Sequence, residues 1–306
     1  MLSVIIPAYN EEQMIPITAK TISGLLQANK IEHELLFIDD GSKDSTWNQI
    51  GTISTEYDVV RGIHFSRNFG KEAAIMAGIT EAHGDCCVVI DCDLQHPPEK
   101  IIEMYRLWED GYEIIEGVKN SRGKEGKLHA AAAHSFYTLI SSATGFDMSS
   151  ASDFKLLDKK AVNTLIGMRE KNAFFRALSS WIGYKTTKVS FDVQERTAGE
   201  SKWSTSALIK YAIRNITSFS TAPMQIVTML GILMLITAVV FSGISLVQYF
   251  RGTALGGFTT VIILQLFSSS IIMISIGIIG YYIARIFEEV KNRPIYIISE
   301  TCGKDA

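Results

Sequence analysis

Between Arg214 and Arg251 the chain carries no charged residue, and between Arg251 and Arg285 it again carries none. Each gap exceeds the roughly 20 residues an α-helix needs to cross a bilayer core. Membrane spans are therefore expected at about Met224–Val247 and Thr259–Ala284. The alternative is a helical hairpin buried inside a soluble protein. Gly231, Gly243, Gly277 and Gly280 favour the membrane, where small residues let helices approach closely. Lys202, Lys210 and Arg214 precede the pair, and Arg285, Lys291 and Arg293 follow it. The positive-inside bias then puts both ends, and the large N-terminal portion, on the cytosolic side. Within Ser204–Thr221, Leu208, Tyr211, Ala212, Ile216 and Phe219 recur at helical spacing, with Lys210 and Arg214 on another face. That pattern suits a helix lying in the membrane interface, or else a packing helix of the preceding domain.

A chain of 306 residues leaves ample length before this hairpin for one sizeable domain. The net charge of −3 argues against a general nucleic-acid binder, which would carry a basic stripe. Cys86, Cys87, Cys92 and Cys302 make no C-x-x-C pair and no metal-ligand spacing. Small buried thiols in a reducing, cytosolic setting are the expected reading. No secretory signal is expected before the first strand.

From Leu2 to about Val193 short apolar runs alternate with longer segments of helical spacing. Strands are expected at Ser3–Ile6, Glu34–Ile38, Val59–Phe65, Cys86–Ile90 and Glu113–Glu116, with later ones at Phe154–Leu157 and Thr186–Val193. Helices are expected at Glu12–Ala28, Ser45–Glu56, Lys71–Ala82, Pro98–Asp110, Ala161–Gly167 and Phe174–Trp181. This alternation predicts an α/β fold with a mostly parallel sheet covered by helices. Three strands run into polar, turn-forming loops: Pro7-Ala8-Tyr9-Asn10-Glu11, Asp39-Asp40-Gly41-Ser42-Lys43-Asp44, and Asp91-Cys92-Asp93 before Pro97-Pro98. In an open α/β sheet such loops face one cleft at the C-terminal strand edge. Asp91 and Asp93, two apart on an extended chain, project the same way. Paired hard oxygens suit Mg²⁺ or Mn²⁺ and hence a diphosphate; a solvated acidic turn is the plainer reading. Neither G-x-G-x-x-G nor G-x-x-x-x-G-K-[ST] occurs, which removes the main support for dinucleotide and P-loop sites.

Taken in order, V-I-I-P-A-Y-N-E-E at Val4–Glu12, I-D-D-G-S-K-D-S-T at Ile38–Thr46 and F-S-R-N-F-G-K-E at Phe65–Glu72 resemble the family-2 nucleotide-sugar glycosyltransferases of the GT-A fold. The likeness continues through D-C-D-L-Q-H-P-P at Asp91–Pro98, S-D-F-K-L-L-D at Ser152–Asp158 and E-R-T-A-G-E-S-K-W at Glu195–Trp203. The hairpin and the R-P-x-Y tail at Arg293–Tyr296 are similar to the branch of dolichyl-phosphate mannose synthases and bacterial polyprenyl-phosphate (bactoprenol) glucosyltransferases. The resemblance implies a GT-A catalytic domain over 1–200, an interfacial helix over 201–222, two transmembrane helices over 223–285 and a cytosolic tail over 286–306.

It also implies roles for residues. Pro7, Tyr9 and Glu11 would flank the uracil and ribose, Asp39 would accept from the base N–H, and Asp40 would lie beside it. An acidic residue here can equally cap the following helix, the role expected of Asp44. Asp91 and Asp93 would hold Mg²⁺ or Mn²⁺ on the diphosphate, with Gln95 near the sugar or phosphates and Arg67 and Lys71 within reach of phosphate. Asp153 is the implied catalytic carboxylate, acting as base or as an orienting charge. Arg122, Lys127, Arg196 and Lys202 are the cations expected to meet the polyprenyl phosphate. Lys119 and Lys155 stand where relatives commonly carry Arg, keeping the charge but losing the bidentate fork.

The expected activity is inverting transfer of a hexose, from UDP-glucose or UDP-N-acetylglucosamine, to undecaprenyl phosphate at the cytosolic face of a bacterial inner membrane, for cell-envelope glycan modification. A processive polysaccharide synthase would be expected to carry a Q-x-x-R-W motif and more spans; here Gln194-Glu195-Arg196 stands without it. A non-catalytic, membrane-anchored sugar-nucleotide binder is the remaining alternative. Partners are thus the donor, the lipid acceptor and the bilayer, with no nucleic acid. Two thin helices anchoring a larger domain also suit a homo-oligomer.

Overall fold

The computed structural model describes residues 1–120, 152–168, 175–192, 222–252 and 257–304. The chain divides into two units, Met1–Leu208 with Pro294–Ala306, and Ile209–Arg293. The first unit opens with β1 (Leu2–Ala8), α1 (Met14–Ala28), β2 (His33–Asp39), α2 (Thr46–Glu56) and β3 (Val60–Phe65). It continues with α3 (Lys71–Glu81), β4 (Cys86–Val89), α4 (Glu99–Glu109), β5 (Ile114–Lys119) and β6 (Lys155–Asp158). Then come α5 (Lys159–Gly167), α6 (Phe175–Trp181), β7 (Thr186–Phe191) and, from the far end of the chain, β8 (Ile298–Gly303).

These strands form one eight-stranded sheet in the order β7-β5-β6-β4-β1-β2-β3-β8. The centre is parallel, with Val4 opposite both Leu35 and Val88 and Ile38 opposite Ile63. β6 runs antiparallel to β4 and β5, β7 parallel to β5, and β8 antiparallel to β3. The expected α/β architecture with a mostly parallel sheet is present. β8 is an addition to it: the sequence reading treated those residues as a tail.

The central strands are continuous apolar runs because helices cover both of their faces. Leu2, Val4, Ile5 and Ile6 of β1 and Leu35, Leu36, Phe37 and Ile38 of β2 are wholly inaccessible to solvent. Each such side chain contributes roughly 1.5–3 kcal/mol on burial. On α1, Ile15, Ala19, Ile22 and Leu26 make a stripe at spacings of three and four facing that core. Thr18, on the same helix, donates its hydroxyl to the Cys92 carbonyl at 2.7 Å and so ties α1 to the Asp91–Asp93 turn. Cys86, Cys87 and Cys92 are buried free thiols, and burial pushes Cys87 up to about 12, leaving it inert packing.

The second unit holds α7 (Ala222–Phe250) and α8 (Phe258–Val290), packed against each other. Met224–Phe250 and Leu264–Ala284 are long and apolar enough to cross a membrane, with mean hydropathies of 2.5 and 1.9. Their large side chains face outward, Leu235 at 64% and Val239 at 65% exposure, an arrangement unfavourable in water. The hydroxyls of Thr228, Thr237, Ser270 and Ser275 bond to carbonyls three or four residues back in their own helices. Internal satisfaction of that kind is what a lipid surrounding demands. The pair gives the protein its membrane association.

Candidate active site

Because β4, β1, β2 and β3 are parallel neighbours, the loops that follow them lie along one edge of the sheet. These loops lock together. Asn10 N donates to Ser42 Oγ at 2.8 Å, and Asn10 Oδ1 accepts from Lys43 N at 2.9 Å. Glu11 N donates to Thr46 Oγ1 and Glu12 Oε2 accepts from Ser45 N. Asp44 accepts from the Thr46 amide at the start of α2, although Ser45, not Asp44, holds the cap position. Asn10 (φ 54°) and Leu94 (φ 53°) both hold left-handed backbone, a strained choice for leucine that recurs at ligand-binding turns.

Asp39 and Asp40 part company at the end of β2. Asp39 is fully buried; it accepts from Ser42 N at 3.0 Å and sits 2.7 Å from His64 Nδ1. His64 stacks on Trp47, whose indole N–H donates to Glu300 on β8 at 3.0 Å. Asp40 turns the other way and accepts from Phe69 N at 2.6 Å and Gly70 N at 2.9 Å, anchoring the loop that leads into α3. Burial, with Asp39 adding to it, pushes Asp40 up to about 6 against the pull of those amides. Gly41 (φ 64°) makes this crossing feasible, since a Cβ there would strike the Arg67–Asn68 backbone.

The anchored loop delivers Lys71, first residue of α3, into a cluster of charges. Lys71 Nζ lies 2.5 Å from Asp91 Oδ1 and 2.8 Å from Asp153 Oδ2. Arg176, from α6, grips Asp153 with two bonds, Nε to Oδ1 at 2.6 Å and Nη2 to Oδ2 at 2.8 Å. Asp153 is only 4% exposed. Burial opposes its charge, yet Arg176 and Lys71 together hold its carboxyl well below the usual range. Desolvation likewise opposes Asp91, and the Lys71 charge outweighs it and keeps the carboxyl below its ordinary value. Desolvation pulls Lys71 down, but Asp153 and Asp91 outweigh it and raise it above an ordinary lysine.

Glu72, next on α3, accepts from the first amide of α6, Phe175 N, at 3.0 Å. Burial, then the Asp153 charge, pushes Glu72 up to about 7. A carboxyl raised in the folded state contributes stability that is complete below its unfolded value near 4.5 and is lost as pH rises through about 7. Glu72→Gln keeps an oxygen for Phe175 and removes that ionisation. Its melting temperature should therefore fall less steeply with pH than the parent's between about pH 4.5 and 7; equal slopes would refute the assignment.

Asp91 and Asp93 close the turn after β4, with Asp93 Oδ1 accepting from Gln95 N at 3.1 Å. His96 packs flat on Phe154, and its buried Nδ1 lacks a hydrogen-bond partner among the described residues, 3.9 Å from Asp91 Oδ2. Burial lowers His96, which keeps the ring neutral and able to accept. No cluster of three or more His, Cys, Asp or Glu among the described residues would hold a metal alone. The Asp91 and Asp93 carboxylates are hard oxygen donors of the kind a Mg²⁺-type ion takes, the rest of its shell being left to substrate and water.

The structure thus brings together Lys71, Asp91 and Asp153, and stations Pro7, Tyr9, Glu11, Asp39, Asp93 and Gln95 in the same row of loops. Arg67 stacks its guanidinium over Phe69, 4.8 Å from the ring centre. Arg122, Lys127, Arg196, Lys202 and the expected interfacial helix lie outside the described residues. Sequence reasoning missed Arg176, Glu72 and His96. Arg176 stands inside the expected helix Phe174–Trp181; the signal for it was a cation flanked by buried Phe175 and Ala177. Lys155, which stands where relatives commonly carry Arg, is wholly buried in β6 against Glu116.

The glycosyl transferase family 2 model matches residues 3–165, and the chain belongs to that family. It is 39% identical over 303 residues to the uncharacterized glycosyltransferase YkcC of Bacillus subtilis (strain 168), covering 98% of this chain and 94% of that one. It is 35% identical over 299 residues to the prophage bactoprenol glucosyl transferase homolog of Escherichia coli (strain K12), with 97% and 98% covered. The SfII prophage-derived bactoprenol glucosyl transferase of Shigella flexneri is 34% identical over 302 residues, with 98% of each chain covered. Among solved structures, glucosyl-3-phosphoglycerate synthase from Mycobacterium tuberculosis, in complex with Mn²⁺, UDP-glucose and phosphoglyceric acid, shares the fold with a TM-score of 0.50 at 18% identity, over 71% of this chain and 79% of that one. The protein is a glycosyltransferase of GT-A fold.

Proposed function

We propose that this protein transfers glucose from UDP-glucose to the phosphate of bactoprenol, with inversion, at the cytosolic face of a bacterial inner membrane. One observation carries the reading: a buried Asp153, held between Lys71 and Arg176 beside Asp91, in a chain that also bears two outward-facing apolar helices. The Escherichia coli and Shigella relatives carry bactoprenol and glucose in their names, which supports that acceptor and that sugar. UDP-N-acetylglucosamine is the rival donor.

Asp39 keeps acceptor capacity beyond its bonds to Ser42 and His64 and would take the uracil imide N–H. Pro7, Tyr9, Glu11 and Asp40 belong to the loops that would close round the nucleoside, and Gln95 to the turn facing the diphosphate. Asp91 and Asp93 would hold Mg²⁺ or Mn²⁺, which when bound stabilises the negative charge of departing UDP. Lys71 would add its ammonium to the same charge. The acceptor phosphate, with a second pKa of about 6, is already its own nucleophile near neutrality. Asp153 therefore orients the acceptor and stabilises positive charge at the anomeric carbon, and strong proton abstraction is not required of it. Arg122, Lys127, Arg196 and Lys202 are the cations proposed to receive the lipid phosphate.

Strands β7 and β8 precede and follow the apolar pair in sequence yet share one sheet. A pair that crosses a bilayer and returns to one domain crosses an even number of times, which supports a two-span topology. The test is incubation of the membrane-embedded protein with undecaprenyl phosphate, Mg²⁺ and a panel of UDP-sugars, followed by mass spectrometry and linkage analysis of the lipid. A β-linked glucosyl phosphate is expected. An α-linked product would refute inversion, and no lipid product from any donor would refute the reading.

A further inference from the structure

Lys155 is wholly shielded from solvent, an expensive place for an ammonium ion. Its Nζ lies 2.6 Å from Glu116 Oε1 on the neighbouring strand, where Glu116 and Lys155 are register partners. It also donates to Ser179 Oγ at 2.8 Å, and its remaining contacts, at 3.3 Å each, are Ser180 Oγ and the Arg176 carbonyl. Ser180 Oγ, with one hydrogen to donate, lies 3.0 Å from Glu116 Oε1 and 3.1 Å from that same Arg176 carbonyl. The pair therefore holds α6, and within α6 it converges on one peptide group. Arg176 is grasped at its carbonyl by Lys155 and at its guanidinium by Asp153, two residues earlier on the same segment.

Stability alone does not account for such a pair, because well-packed apolar residues of the same volume usually do as well or better. Geometry does. A helix of only seven residues cannot hold itself in place, and apolar packing would leave its rotation poorly defined, while directed bonds fix it. We propose that the buried Glu116–Lys155 pair is a positioning strut of the transfer site, which sets α6 so that Arg176 presents its fork to Asp153. The strut rests on the reading of Asp153 given under Proposed function. Glu116, Lys155 and Arg176 are accordingly positioning residues, acting on the acceptor and sugar through Asp153.

A double-mutant cycle tests this in the membrane-embedded full chain. Arg176→Ala should lower kcat about 10²–10³-fold, with UDP affinity unchanged within a few-fold and partial recovery on adding guanidinium ion. Lys155→Met, which fills the same volume, should lower kcat about 10²-fold through misplacement of Arg176. Guanidinium should not restore it. The double variant should be no slower than Arg176→Ala, because both changes remove one function. Losses that multiply, or a Lys155→Met variant that loses UDP binding in parallel with kcat, would overturn the strut and make the pair a general structural element. Hydrogen exchange provides a readout independent of turnover: Lys155→Met should expose the α6 amides while α1, α2 and α3 stay protected. Unchanged protection of α6 would overturn the proposal even if the wild-type protein glycosylates no lipid. That last result would by itself refute only the functional reading.

Discussion

Asp153→Asn should lower turnover about 10³-fold while leaving UDP affinity within a few-fold of the parent. The change is nearly isosteric and removes one charge. That charge is balanced by Lys71 at 2.8 Å and by both arms of Arg176, so asparagine leaves two cations facing each other across a desolvated site. Loss of one preorganised electrostatic partner commonly costs 10²–10³ in kcat, and here the displaced cations add to it. Folding stability should fall by about 2 kcal/mol, since breaking a buried pair from one side leaves its partner uncompensated, with the partial exposure of Arg176 softening the penalty.

The pH profile separates orientation from proton abstraction. Because its two cations hold Asp153 well below the ordinary carboxylate range, its ionisation lies outside the working pH range. A rise in kcat through about pH 6 is then not the titration of Asp153; it is expected from the acceptor phosphate, with Asp40 and Glu72 the protein groups raised into that range, and Asp153→Asn should retain the inflection at a lower plateau. Disappearance of the inflection in the variant would make Asp153 the proton acceptor after all.

Asp93→Ala should be equally damaging for a different reason: turnover that no longer responds to Mg²⁺ or Mn²⁺, down about 10³-fold or more. Asp93 lies in the turn after β4, outside the strands and the apolar helices, so the change is expected to leave both in place. Asp91→Ala is the harsher companion, since it also strips Lys71 of a partner at 2.5 Å. Titration of Mn²⁺ binding in the presence of UDP reads the metal directly. Parental Mn²⁺ affinity in Asp93→Ala, or parental turnover, would refute the assignment of that carboxylate.

The row of loops was legible in the sequence because its signals are local. A run such as Cys86–Ile90 reads as a doubly covered strand, and an Asp-x-Asp or Asp-Asp-Gly after it reads as a turn at a strand end. Helix boundaries in the sheet-bearing unit were legible to within one or two residues for the same reason: α2 was expected over Ser45–Glu56 and spans Thr46–Glu56, whereas α8 runs six residues past the expected Ala284. β8 was not, because Ile298–Gly303 is a largely exposed edge strand with no apolar alternation, and its partner β3 lies far back in the chain. Nor could spacing reveal that Asp40 would turn away from Asp39 to hold the Phe69 and Gly70 amides.

What the sequence by itself determined is the set of segments and the reagents they carry: a parallel sheet with acidic loops, then two apolar helices. Periodicity, turn chemistry and the length of a charge-free run are properties of neighbours along the chain, and they need no fold to be read. Tertiary structure alone decided which charges face one another. Asp153 meets Arg176 and Lys71, and Lys155 meets Glu116, only because β6 is inserted antiparallel between β4 and β5 with α6 laid across it. Those partners lie tens of residues apart, and the electrostatic energy that fixes the site depends on distances of under 3 Å that only the folded sheet sets.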